Sequence, residues 1–276
     1  LIDKIDAIKK AKQWKHIFIR MSIRSPKDAA LTSPKFSTIL KREYESLHKF
    51  QGKQAPKQLA VSGGDRDEIW DINQRVIACY RAQTFALSCD AGQEAIDLLV
   101  RSPRIQGDMK SYAIDGEYEQ KFQLIVRDFQ FFDVSFEFRT FIYNKKMTGL
   151  TQYNDLCYFD DLVQFQAEIV AKVQQFVDDV IARIQLDSFV LDIVLVDADY
   201  DGKSEWPPLN KERLQKLKVM IIEINPMAEF AGGGLFEWNK DKDVLLGQKP
   251  FEFRMQTKLS SYITADLMPE WHPFIF

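Results

Sequence analysis

The chain has few of the residues that build metal cages, disulfide frameworks and histidine-driven active sites. It carries three cysteines and three histidines in 276 residues. Cys79, Cys89 and Cys157 are odd in number and widely separated, with no zinc-binding spacing among them. That pattern excludes a disulfide scaffold and fits free thiols in a reducing compartment, so a cytoplasmic location is expected. His16, His48 and His272 stand far apart with no local motif, which leaves little for imidazole chemistry. Basic charge is not in excess either. The 37 Lys and Arg residues face 40 Asp and Glu, a net charge of −3, so nucleic acid is not the expected partner. No apolar run approaches the ~18 residues that span a bilayer, and no membrane is expected. No secretory signal opens the chain, and Leu1 in place of an initiator Met fits a chain that begins inside a longer protein.

What is present is an ordinary complement for a folded core. Apolar residues make up 46% of the chain and charged residues 28%, and the length suits one large or two smaller domains. Residues 2–15 have a helical apolar spacing, and Ile17 to Ile23 reads as a strand running into the polar loop Arg24 to Asp28. Ser37 to Phe50, Asp67 to Ser88 and Gln93 to Val100 read as helices, with a loop over 52–64. From about Lys121 the pattern turns to strands: Phe122 to Arg127, Phe136 to Tyr143 and Met147 to Gln152, the last two joined by a turn at Asn144 to Lys146. Leu162 to Ile184 reads as one long helix. Asp197 to Lys218 reads as a charged, exposed loop, Ala231 to Gly234 as a flexible turn, and the apolar tail Trp271 to Phe276 as a segment that docks on the core. Helices and one strand come first, then several strands around a long helix, which predicts an α+β fold without regular βαβ alternation.

Two apolar strands carry the clearest chemistry. Phe189 to Val196 has one acidic residue, Asp192, and Val219 to Pro226 has Glu223 followed two residues later by Asn225. Alternation puts Glu223 and Asn225 on one face, and Asp192 joins them if the strands pair. Two carboxylates and an amide oxygen make a hard, all-oxygen set suited to Mg²⁺ beside phosphates. The competing reading is that each acid is paired with a Lys or Arg. An uncompensated carboxylate inside an apolar strand is costly under either reading. Arg139 shares a strand face with Glu137, and its guanidinium suits either phosphate oxygens or a cross-strand ion pair. Arg20, among apolar residues on the first strand, suits either phosphate oxygens or a snorkelling position on an edge strand.

These blocks occur in a recognisable order: Arg20 to Ala29 (RMSIRSPKDA), Phe136 to Ile142 (FEFRTFI), Leu150 to Tyr153, Val190 to Ile193, Ile222 to Pro226 (IEINP) and Leu235 to Trp238. Together they resemble the cell division cycle protein 123 family, a branch of the ATP-grasp proteins. The chain differs from the usual family pattern at Arg20, where Lys is common, and at Glu223, where Asp is common. The resemblance implies an ATP-grasp-like fold of two α+β lobes with a nucleotide cleft between them. Residues 1–125 would form the amino-terminal lobe, with a helical insertion at about 35–100, and 126–276 the carboxy-terminal lobe. It implies ATP and Mg²⁺ as ligands, with Asp192, Glu223 and Asn225 on the metal and Asp192 also beside the nucleotide. Arg20, Lys27 and Arg139 would hold the phosphates. Backbone groups of Arg127 and Phe129 would bond the base between apolar walls from Val126 and Phe129, and Gln152 would point into the cleft. In eukaryotes the family assists assembly of translation initiation factor 2, so a subunit of that factor is the implied protein partner. The alternative reading is an ATP-dependent ligase or phosphotransferase acting on a protein or small-molecule acceptor.

Overall fold

The computed structural model describes residues 1–52, 61–62, 64–115, 123–198, 200–202, 206, 209–260, 263, 267 and 269–276. Helices and strands follow in chain order: α1 (Ile2–Lys12), β1 (Ile17–Met21), α2 (Phe36–Gln51), β2 (Val61–Ser62), α3 (Arg66–Phe85), α4 (Gly92–Arg101), α5 (Pro103–Asp115), β3 (Leu124–Asp128), β4 (Glu137–Tyr143), β5 (Lys146–Gln152), α6 (Asp160–Gln164), α7 (Gln166–Ile181), β6 (Phe189–Val196), α8 (Lys211–Lys216), β7 (Lys218–Pro226), α9 (Lys242–Leu245), β8 (Glu252–Arg254), β9 (Leu259–Ser260) and α10 (His272–Ile275). The mixture is α+β, as the order of elements predicts. Two compact units emerge, one of Leu1–Glu45 with Ala78–Phe131, the other of Ser46–Ile77 with Phe132–Phe276.

The first unit is built on a two-stranded antiparallel sheet, β1 with β3, in the register Phe18↔Arg127 and Arg20↔Ile125. Ile17, Ile19, Ala29, Ala30, Ala86, Cys89, Ala95, Leu98 and Phe129 close its core. Side chains from distant elements satisfy the helix ends. The Gly92 amide at the start of α4 donates to Asp6 Oδ1 at 2.6 Å. Asp28 accepts from the Ser102 hydroxyl at 2.6 Å and from the Arg104 amide at 3.1 Å, holding the first turn of α5. Pro103 suits that first turn because it has no amide to leave unbonded.

The second unit is built on a five-stranded sheet in the order β7-β6-β4-β5-β8. β6 is buried along its whole length, which explains why its sequence is apolar apart from Asp192. β4 pairs antiparallel with both β5 and β6, β6 antiparallel with β7, and β5 parallel with β8. The β6–β7 register shifts by one residue between Asp192 and Ile193, which places a bulge at Ile222. The segment 46–77 belongs to this unit through long-range contacts. Ile69 and Trp70 pack with Tyr158 and Leu259, β2 pairs parallel with β9, and the Asn73 amide exchanges two hydrogen bonds with the Tyr158 backbone.

Several local expectations change. The helix expected over 162–184 is two helices that meet at Phe165, whose buried ring and non-helical backbone (φ −113°, ψ 25°) interrupt it. α5 is an additional helix; its modest apolar content hides it from periodicity. The stretch 197–218, expected to be exposed, buries Trp206, Leu209, Leu214 and Leu217 and contains α8. At the carboxy terminus Trp271 and Ile275 are buried, while Phe276 is exposed. Most of the loop expected over 52–64 lies outside the described residues. None of the described helices is long and apolar enough to cross a membrane.

Candidate functional site

Residues directly opposite on neighbouring strands share a sheet face. In the second unit Glu223 of β7 is opposite Asp192 of β6, Asp192 is opposite Arg139 of β4, Arg139 is opposite Thr151 of β5, and Thr151 is opposite Arg254 of β8. One polar row therefore crosses the entire sheet on one face. Asp192 is fully buried, with 0% exposure, and the Arg139 side chain is 12% exposed.

Arg139 grips Asp192 through a planar fork. Its Nε donates to Oδ1 and its Nη2 to Oδ2, both at 2.8 Å. Its Nη1 donates to the backbone carbonyls of Ala231 and Gly232, the latter at 3.1 Å. The Tyr153 ring lies 5.2 Å from the guanidinium carbon. Burial opposes the charge of Arg139. Its bonds to Asp192 and the nearby charge of that carboxylate, with smaller help from Tyr153 and Glu223, hold its pKa above the ordinary guanidinium value. Asn225 donates its amide to Asp192 Oδ2 at 3.1 Å.

The segment after β7 lies against this row. Gly232 has φ +76°, and a Cβ there would lie 3.0 Å from Arg139 Nη1. Gly234 has φ +59°, and a Cβ there would lie 2.7 Å from Thr151 Cγ2. Left-handed backbone and close approach both require glycine. The Leu235 amide donates to Thr151 Oγ1 and the Leu235 carbonyl accepts from Arg254 Nη1, both at 3.3 Å. This stretch, expected to be a flexible turn, is anchored at both ends. Arg254 itself is neutralised by a fork to Asp241, at 2.6 and 2.8 Å, and by Glu252 at 2.8 Å.

The row sets two carboxylates and an amide side by side. Arg254 is matched by Asp241 and Glu252, and Glu223 stands opposite Asp192 with Arg139 on its far side. Asp192 uses three of its roughly four acceptor positions on Arg139 and Asn225. Because Asn225 points its nitrogen at Asp192, its oxygen is turned away and remains an acceptor. The donor set therefore fits a hard divalent cation that keeps several waters, with at most one Asp192 position, Glu223 and the Asn225 oxygen as protein ligands. It does not form a closed cage, and among the described residues no three His, Cys, Asp or Glu side chains gather as one.

The structure brings together Arg139, Asp192, Glu223 and Asn225, as expected. Asp192 is ion-paired to Arg139 and also stands opposite a second carboxylate, Glu223. Gln152 is a correction. It lies on the opposite sheet face and is buried, its Nε2 donating to the Asn154 and Cys157 carbonyls and its Oε1 accepting from the Gln256 amide, each at 2.8 Å. A buried amide with three protein partners organises the 154–157 turn instead of facing a ligand. Thr151, Tyr153 and Arg254 were not expected at the row. The register alone reveals them, because nothing in their local sequence marks them.

In the first unit Arg20, Arg127 and Phe129 share one face of the β1–β3 sheet and Val126 lies on the other. The Arg20 Nε donates to the Met21 carbonyl at 3.1 Å. Arg127 lays its guanidinium carbon 4.8 Å from the Phe18 ring centroid. The Phe129 ring is buried against Phe131, at 4.8 Å between centroids. The Phe129 amide, expected to bond a base, donates to the His16 carbonyl at 3.1 Å and is thus engaged within the sheet. Lys27 is exposed at the start of a 3₁₀ turn over Lys27–Thr32, and its carbonyl accepts from Gln83.

Fold and row together define a mixed α+β protein with a carboxylate–guanidinium row across its larger sheet. The solved structure of Cdc123 from Schizosaccharomyces pombe superposes with a TM-score of 0.56 at 16% identity, covering 92% of this chain and 76% of that one. The D123 family model matches residues 32–266, and the chain belongs to that family. Among curated relatives, Cell division cycle protein 123 of Eremothecium gossypii is 26% identical over 59% of this chain and 42% of its own length. A protein named Translation initiation factor eIF2 assembly protein from Vanderwaltozyma polyspora is 29% identical over 51% of this chain and 35% of its own. The protein of that name from Lodderomyces elongisporus is 23% identical over 79% of this chain and 54% of its own. The chain thus spans roughly a third to a half of the length of these relatives.

Proposed function

We propose that this chain binds ATP with Mg²⁺ in the manner of ATP-grasp proteins and serves as an assembly factor for a translation initiation factor. The single observation behind the nucleotide reading is the gathering of hard oxygen groups on one sheet face, where Asp192 and Glu223 stand opposite each other with the Asn225 amide beside them and Arg139 on Asp192. Asp192, Glu223 and Asn225 would hold Mg²⁺, and the metal would supply charge neutralisation for phosphate oxygens. Arg139 has an N–H left on Nη2 after its four bonds, enough for one phosphate contact. Its larger part is to fix the orientation of the Asp192 carboxylate. The names of the relatives, eIF2 assembly proteins among them, support a subunit of that initiation factor as the partner.

The test is calorimetric titration of ATP into the protein with Mg²⁺, with EDTA, and on Glu223→Gln. Glu223 is the better probe because Asp192 also pairs Arg139, so its loss confounds folding with binding. The expectation is cation-dependent binding that Glu223→Gln weakens about tenfold or more. A folded protein that binds no Mg–ATP sinks the nucleotide reading. Steady ATP consumption in the presence of an acceptor would move the protein to the ligase or phosphotransferase class. Failure to bind any purified subunit of the initiation factor would remove the partner.

A further inference from the structure

Arg139 joins the carboxylate of Asp192 to the backbone of Ala231–Gly232. The guanidinium is rigid and planar, so its two sets of bonds cannot shift independently. We propose that the segment Ala231–Gly234 senses cation occupancy of the Asp192–Glu223 pair through Arg139, a regulation that rests on the Mg²⁺ reading above.

A divalent cation placed on Asp192 stands beside the guanidinium and competes for the same oxygens. Like charges repel, and the low dielectric around the fully buried Asp192 strengthens the effect. The fork yields part of its hold on Asp192, and its Nη1 turns away from the Ala231 and Gly232 carbonyls. The segment is built to respond. Its glycines have no side chains to repack, and Gly232 and Gly234 sit in left-handed backbone that they can leave without steric penalty. Its far end stays anchored, because Thr151 and Arg254 hold Leu235 and Phe236 packs on Phe141 at 5.4 Å between ring centroids. The movement thereby stops at Leu235. Phe230, 81% exposed, immediately precedes the segment and moves with it. Cation loading is in this way transmitted to the protein surface.

Amide hydrogen exchange followed by mass spectrometry on peptides covering 229–238 tests the coupling. The protein is measured with EDTA alone, with ATP and EDTA, and with ATP and Mg²⁺, beside a calorimetric titration under the same conditions. The expected result is exchange at 231–234 that rises by about fivefold or more only when the cation is present. A second variant, Arg139→Lys, cannot hold the carboxylate and both carbonyls. Its segment should exchange at the faster rate without cation and show no further rise. Binding in the titration with unchanged or slower exchange at 231–234 overturns the coupling alone. An absence of binding in the titration overturns the Mg²⁺ reading and the coupling with it.

Discussion

Replacing Arg139 by Met leaves the Asp192 carboxylate fully buried with one remaining partner, the Asn225 amide. Both members of the pair are shielded, with side-chain exposures of 12% and 1%, so solvent screening offers little relief. Breaking a buried pair by removing one partner costs about 3–5 kcal/mol. The carbonyls of Ala231 and Gly232 lose a donor as well, which keeps the expectation at the upper part of that range. Asp192→Leu strands the guanidinium and should cost a similar amount. The two changes together remove both charges and fill the space with apolar atoms, which is often close to neutral. Urea unfolding of the four proteins forms a double-mutant cycle. Tryptophan emission is the natural signal, because four of the five tryptophans, all but Trp14, lie in the second unit. With a slope of about 2–3 kcal/mol per molar, each single change should lower the midpoint by about 1–2 M. The double variant should regain most of it; single losses of about 4 kcal/mol each against a double loss of about 1 kcal/mol give a coupling of about 7 kcal/mol in magnitude. Additive losses, with coupling below about 0.5 kcal/mol, would refute the view that this is a desolvated, mutually dependent pair.

Three further outcomes are expected. Gln152→Leu leaves the Gln256 amide and the Asn154 and Cys157 carbonyls without their partner, so unfolding should show a loss of about 2–4 kcal/mol with Mg–ATP affinity of the folded protein unchanged. Hydrogen bonding and charge from Arg254 hold the Asp241 carboxyl below its usual value of 3.8. A depressed carboxylate gives stability that is present above the unfolded value and lost as pH falls through the folded one. Acid unfolding below about pH 4 should therefore be shallower in Asp241→Asn than in the parent, and identical acid limbs would contradict this. Cys79, Cys89 and Cys157 are buried, and burial pushes the Cys89 thiol up to about 12. A disulfide reagent at neutral pH should label none of these thiols before unfolding and all after, and rapid native labelling of Cys89 would show its site to be open.

The strands were legible because each is an apolar run of distinctive length, and the acids within them stood out by contrast. Asp192 and Glu223 announced themselves as charges inside strands, and pairing of the two strands placed them opposite each other. The partners of these acids were less visible. Thr151 and Arg254 reach the row only through register across β5 and β8, and register is set by long-range pairing that no local window contains. Gln152 looked like a cleft residue because an amide at a strand end resembles any other polar side chain, and only the fold shows its three backbone partners. Trp206 and Leu209 sit in a polar stretch whose average hides a few buried anchors. Ala231–Gly234 reads as loose because glycine is permissive. In the fold the same permissiveness allows the backbone to lie against Arg139 and Thr151, and bonds on both sides then hold it there.

The bulge at Ile222 bears on more than the row. β7 ends the sheet among the described residues, and Val219 to Ile224 reads Val-Met-Ile-Ile-Glu-Ile, a short apolar window of high β-propensity. Such a window on an open edge is a template for uncontrolled strand addition and fibril growth. A bulge bends and twists the edge, which spoils the flat surface another strand would need. Glu223 places a charge in the middle of the window, while Lys218 and Pro226 close its ends. The carboxylate proposed to meet a cation is thus also a gatekeeper of solubility. An apolar substitution at Glu223 that preserved the fold would still leave a sticky edge, and any drift in this strand has to satisfy ligand chemistry and colloidal behaviour at a single position.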